Sequence, residues 1–457
     1  MTPTGSPDPT TLRAVTVPLE AGPDLDPLAI AGDEGHLFAG PSLTLAGLGT
    51  AAVLPLARGL QDPATLREVE RWLAAVPSED RVGLPGTGVV AQGALPFELG
   101  EPSALVVPRL TFGRDETTGR AWATVVEPAG GTGSTTDPRT LRERLVRAAG
   151  EHPGGDSGSP DAPPLAGIVA VPEPDEYAAA VAAAVTAITE GRLRKVVLAR
   201  RLNLRFASPV RPSVVLRRLH AREPSCTAFS HPVGRGRFVG ASPELLVSRR
   251  GELVRCHPLA GTVALVGDPA VDTAATEQLL ASAKDRVEHQ LVVDDIARAL
   301  RAAGVRVEGP VQPSIVRLRS VAHLATQVVG SSGPGGSPGV LQLLAALHPT
   351  PAVGGVPRPE ALAMIAALEP APRQQWAGPV GWVDASGNGE WMIAIRSAVV
   401  TGADASLWAG AGIVAASDPA AELAETTVKL LPVVDAFVPG ADGELLGAGL
   451  SREPLSQ

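Results

Sequence analysis

Residues 390–429 read EWMIAIRSAVVTGADASLWAGAGIVAASDPAAELAETTVK. Glu390–Val400 and Leu407–Val414 are apolar runs of strand character. Ser417-Asp418-Pro419 then supplies a capping side chain followed by proline, which is how a helix begins. In that helix Glu422 and Glu425 stand three residues apart and therefore share a face. Two strands feeding a helix predict a mixed α/β chain, with a pair of carboxylates on one face of that helix.

Working outward, the same mixture continues. Pro174–Glu190 carries Tyr177, Val181, Ala184, Val185 and Ile188 at helical spacing, closed by Gly191, and leads into the β-branched run Lys195–Leu198. Arg237–Val239 and Leu245–Ser248 suggest further strands. Gln278–Ala303 reads as the strongest helix, with Leu280, Ala283, Val287, Leu291 and Ile296 on one stripe and Gly304 at its end. Asp285, Glu288 and Asp295 lie at offsets of three and seven on it. Strands and helices do not alternate strictly, so a doubly wound sheet is not expected. Glu127–Pro138 and Gly150–Pro164 are dense in Gly, Pro, Ser and Asp and read as loops, as does the shorter Gly330–Pro338. They suggest a motif-poor part over 1–165, a motif-rich core over 166–435 and a tail over 436–457.

Composition narrows the function classes. The 457 residues are 44% hydrophobic but only 3% aromatic, so the core is built on Ala, Val and Leu. A net charge of -9 without a basic stripe argues against nucleic acid and for a small-molecule substrate. Cys226 and Cys256 are too few for a disulfide framework and lack metal-ligand spacing. No signal peptide and no apolar stretch of membrane-spanning length is evident, so a cytoplasmic protein with no membrane association is expected.

Several glycine-bearing polar segments interrupt the apolar strands: residues 238–246, 257–262, 323–326 and 409–413. Each alone fits a tight turn or close strand packing as well as an anion-binding backbone, and either acidic cluster alone fits a solvated helix face as well as a metal site. Together and in order they resemble something specific. KVVLAR from Lys195, GASPELL from Gly240, PLAGT from Pro258, SAKDRVEHQLVVDDI from Ser282, HLAT from His323, LHPTPAVGGVPR from Leu347, GNGEWMIAIR from Gly387 and AGAGIVAASDPAAELAETTVK from Ala409 are similar to the core of the chorismate-utilising enzymes. One segment departs from the family pattern: Leu423 stands where the family often has Trp, an exchange that keeps Glu422 and Glu425 in register.

The resemblance implies antiparallel sheets packed face to face with helices outside, and strands drawn from the first 165 residues. It implies Mg²⁺ held by Glu288 and Glu425, with Glu422 contributing directly or through water. Lys195 would activate a water, Glu244 would protonate the departing 4-hydroxyl of chorismate, and His323 would stand near the reacting face. Arg396 and the backbone at Gly410 and Gly412 would bind the pyruvyl carboxylate, while Gly261, Thr262 and Lys429 match the ring-carboxylate region, and Ala352 and Val353 belong to the substrate-binding set. A base with the pKa of free lysine is mostly protonated at neutral pH, so Lys195 needs its pKa lowered and Glu244 needs the opposite. Lys195 and Ala260 resemble the water-using members rather than the aminating ones, so no glutamine amidotransferase partner is expected. LHPTPAVGGVP resembles isochorismate synthases, feeding menaquinone or catechol siderophores, more than salicylate synthases. A catalytically dead chorismate-binding protein is a third reading, which the intact Lys195, Glu244, Glu288 and Glu425 oppose.

Overall fold

The computed structural model describes residues 6–20, 22–130, 137–151, 163–309, 312–333 and 338–441. Most of the two long loops expected from sequence, the middle of the third and the tail beyond 441 lie outside these residues.

The chain forms a mixed α/β structure on two large sheets. The first has 13 strands, and its longest strand, Lys195–Phe206, lies second from one edge, antiparallel between Leu165–Val171 and Asp404–Ile413. The sheet continues through Ser397–Thr401, Gly236–Ser242 and Thr227–Val233 to strands from the first third of the sequence, His36–Ala39 and Leu43–Leu48 among them. The second sheet has nine strands and includes Leu253–His257, Leu245–Arg250, Gly389–Ile393 and Pro379–Asp384 before ending in Val90–Ala94, Ser103–Val107 and Ala52–Leu56. A three-stranded sheet of Leu259–Ala264, Val321–Ala325 and Ser314–Arg317 completes the frame.

The sheets meet face to face. Phe38, Leu45, Trp122, Phe229 and Phe238 of the first interdigitate with Val90, Val380, Trp382 and Met392 of the second, all buried. Helices cover the outer faces. Pro63–Ala75, Ala283–Ala302 and Val340–Leu347 contribute Leu73, Val292 and Leu344 to the core over the second sheet. Pro212–Arg222 and Pro419–Phe437 contribute Leu216, Leu219, Leu430 and Val434 to the core over the first. This burial of Leu, Val and Ala is the main stabilising term, at roughly 25 cal/mol per Å² of apolar surface. Among the described residues no helix is long and apolar enough to cross a membrane.

Two expected elements differ. The helix expected over Gln278–Ala303 is two helices, Pro269–Ala281 and Ala283–Ala302, broken at Ser282. Ser282 has extended backbone and caps the second helix, its hydroxyl accepting the Asp285 N–H at 3.2 Å. The break rotates the face: Leu280 and Val287 of the expected stripe are 39% and 63% exposed, while Glu288, His289, Val292 and Ile296 point inward. Glu390–Val400 is likewise not one strand. Gly389–Ile393 belongs to the second sheet and Ser397–Thr401 to the first, with Arg396 between them at φ +52°. The chain changes sheets there, and a non-glycine residue occupies left-handed backbone at that point.

Candidate active site

Lys195 opens its strand directly after a loop, with Gly191 at φ +79° ending the preceding helix, Pro174–Thr189. Side chains alternate along a strand, so Lys195 and Val197 face one way. Opposite them in register stand Gly412, paired with Val197, and Gly410, paired with Ala199. The missing side chains make room: a Cβ at Gly412 would collide with Glu288 Oε1 and lie 3.1 Å from Lys195 Cε. Into this room the helix Ala283–Ala302 projects Glu288, whose Oε1 is 2.9 Å from Lys195 Nζ; the lysine side chain is 1% exposed.

A cavity opens beside this pair. Its walls include Glu244, Gly261, Thr262, Glu288, His323, Ala352, Val353, Arg396, Gly410, Gly412, Glu425 and Lys429. Twelve of the fourteen residues expected from sequence therefore line one space. Lys195 and Glu422 stand just behind it, Lys195 through its ion pair with Glu288 and Glu422 one helical turn before Glu425. Asp285 packs its Cβ near Gly261 and bonds Ser282. Asp295, also expected to share the acidic face, pairs with Arg298 and does not reach the cavity. Sequence reasoning missed Trp376 and Trp408, which wall the cavity; their only sequence signal is rarity, at six tryptophans in the chain.

The electrostatics are uneven. Glu244 is fully enclosed between two strands, and burial pushes its carboxyl up to about 7, against the weaker opposing effects of the Leu259 N–H at 3.4 Å and the charges of Lys195 and Lys429. Burial and then the Arg396 charge hold His323 well below the ordinary histidine range. His323 Nε2 lies 3.3 Å from Arg396 Nη2, and because arginine only donates, Nε2 accepts. The ring proton therefore sits on Nδ1, which is 3.1 Å from Thr262 Oγ1 and 3.3 Å from the Gly261 carbonyl.

Among the described residues no three of His, Cys, Asp and Glu are gathered into a ready-made metal cage. Each of the three glutamates instead meets a lysine: Glu288 meets Lys195 at 2.9 Å, Glu422 meets Lys284 at 3.3 Å and Glu425 meets Lys429 at 2.6 Å. They also feel one another. Glu422 is raised, first by burial and further by Glu425, and Asp285 is raised by burial and further by Glu288. An all-oxygen set of carboxylates, each already paired with a lysine cation, offers the ligand type a hard divalent ion takes, and Mg²⁺ uses only one or two carboxylates along with substrate oxygens and water. The donor set fits that group.

A family model described as chorismate binding enzyme matches residues 35–438. The chain belongs to the chorismate-binding enzyme family. A protein of Aeromonas hydrophila is 43% identical over 253 residues, which are 55% of this chain and 64% of that protein, so the chain spans just under two thirds of that relative. The isochorismate synthase DhbC of Bacillus subtilis is 40% identical over 275 residues, 58% of this chain and 69% of that one. Among solved structures, the menaquinone-specific isochorismate synthase MenF of Escherichia coli superposes with a TM-score of 0.74 at 27% identity, covering 93% of this chain and 94% of its own.

Proposed function

We propose that this chorismate-binding enzyme is an isochorismate synthase. The observation that carries the reading is one cavity holding a carboxyl that keeps its proton to near neutrality, Glu244, within electrostatic range of the buried Lys195, with the cations Arg396 and Lys429 on its walls. The names of the relatives support the same reaction.

In this reading Arg396 and the amides near Gly410 and Gly412 take the side-chain carboxylate, and Lys429 with Gly261 and Thr262 receives the ring carboxylate region. Lys195 accepts a proton from water on Nζ as the oxygen bonds to C2. The ring double bonds shift, the C4–O bond breaks, and Glu244 delivers its proton to the departing hydroxyl, so one water enters and one leaves. Each proton transfer is worth on the order of 10²–10⁴ in rate. His323, neutral and with both nitrogens engaged, orients Arg396 and the Thr262 hydroxyl. Glu288 and Glu425, with Glu422 behind them, would hold Mg²⁺, which when bound supplies charge neutralisation for the ring carboxylate.

The test is incubation of the purified protein with chorismate and Mg²⁺, without glutamine or ammonia, with products identified by chromatography and NMR. Isochorismate without pyruvate is expected. Salicylate with pyruvate would move the chain to the salicylate synthases, and unchanged chorismate would leave it a binding protein.

A further inference from the structure

We infer that Glu223 is a positioning residue for substrate binding, acting through Arg396; the inference rests on the reading in which Arg396 takes a substrate carboxylate. Glu223 closes the helix Pro212–Arg222 and is 4% exposed. Its Oε1 accepts from Arg396 Nη1 at 3.3 Å, and both its oxygens lie 3.3 Å from the Arg319 N–H. Among the described residues it is the carboxylate that forms an ion pair with Arg396.

Local helix physics does not ask for this residue. The last turn of a helix carries the negative end of its dipole, so a buried carboxylate at that position is disfavoured unless a tertiary partner compensates it. Arg396 is that partner. It comes from 173 residues further along the chain, in left-handed backbone where the chain passes between the two sheets. A buried guanidinium without a counter-charge is costly, and its planar fork binds a carboxylate well only when its orientation is fixed. Glu223 holds one edge of the fork, which leaves the other for His323 and the cavity. The polar chain branches at Arg396, which donates to Glu223 on one side and to His323 Nε2 on the other, and His323 Nδ1–H donates onward toward Thr262 and Gly261. One carboxylate outside the cavity thereby fixes the donor geometry on two of its walls.

Such a residue controls binding remote from the reacting C2 and C4, so its loss appears in KM rather than kcat. The experiment measures steady-state kinetics of wild type, Glu223→Gln, Glu223→Ala, Arg396→Ala and the Glu223→Ala/Arg396→Ala double variant with chorismate and Mg²⁺. Chorismate titrations of tryptophan fluorescence, reported by Trp376 and Trp408, accompany them. Glu223→Ala is expected to raise KM about tenfold with kcat within about threefold, and Glu223→Gln, which keeps an acceptor, to fall between it and wild type. The double variant is expected to bind no worse than Arg396→Ala, because one residue works through the other. An unchanged KM in Glu223→Ala, additive losses in the double variant, or a fall in kcat at constant KM overturns the inference. If Glu223→Ala does not fold, a wild-type KM in Glu223→Gln overturns it alone. A wild-type protein that neither binds nor converts chorismate overturns the proposed function, and this inference with it; failure confined to the variants overturns only the role of Glu223.

Discussion

Replacing Glu244 by Gln freezes the carboxyl in its neutral shape, and the structure gives the size of the effect. Burial lifts Glu244 from an ordinary value of 4.5 to about 7 in the folded protein. A raised carboxyl means the native state binds more protons than the unfolded chain throughout that interval. Its contribution is therefore fully present below pH 4.5 and is lost as pH rises through about 7. The interval of about 2.5 units, at about 1.4 kcal/mol each, gives a loss on the order of 3 kcal/mol. Urea unfolding of both proteins between pH 5 and 8 reads this out: wild type should lose stability relative to Glu244→Gln as pH rises, with the difference levelling above about 7.5. Because kcat/KM follows the free enzyme, its high-pH limb should begin to fall at about pH 7, where the stability difference levels off, and the variant should lack turnover at every pH. A stability difference that is flat in pH, or that favours wild type at high pH, would refute the assignment of Glu244 as a buried carboxyl held protonated.

Lys195→Ala should lower kcat by at least about 10²-fold while circular dichroism shows the fold retained; near-normal turnover would remove Lys195 from the reaction. Gly412→Ala places a methyl against Glu288 and Lys195, so it should cost about 1–3 kcal/mol in thermal or urea unfolding and lower kcat/KM by tenfold or more. A silent substitution there would mean that the Lys195–Glu288 pair is not confined as described. Glu425→Ala removes the partner of Lys429; calorimetric titration should show weakened Mg²⁺ binding, and chorismate KM should rise with it. Retained Mg²⁺ affinity would place the ion elsewhere.

Much of the frame was legible because local rules and tertiary needs agree there. Pro174–Thr189 buries Tyr177, Val181, Ala184 and Ile188 as its spacing predicts, and Asp418 caps the last helix with Pro419 in its first turn. Agreement fails at two places, and both border the cavity. The strand-like run over Glu390–Val400 is broken only by Arg396-Ser397, and strand propensity does not say that its two halves belong to different sheets, since it reports on a pleated surface and not on which sheet supplies it. The long-helix stripe held only at Ile296, because Ser282 resets the register and because the inward face of Ala283–Ala302 carries Glu288 and His289 alongside Val292, Ile296 and Leu300, while Val287 is exposed.

That second failure has a physical cause. Hydrophobic periodicity assumes that burial follows apolarity, whereas a site pays to bury charge and must compensate each one. Here the compensation is pairwise and long-range: Lys195 with Glu288, Lys284 with Glu422, and Glu223 with Arg396. None of these pairs is visible as a spacing, because each joins separate elements brought together only by the sheets. The motif resemblance could nominate Lys195, Glu288 and Arg396 one at a time, but it could not nominate Glu223, whose significance exists only as the counter-charge of a residue 173 positions away. The positions where a polar residue is buried against its local preference are therefore where the structure adds most to what the sequence says about function.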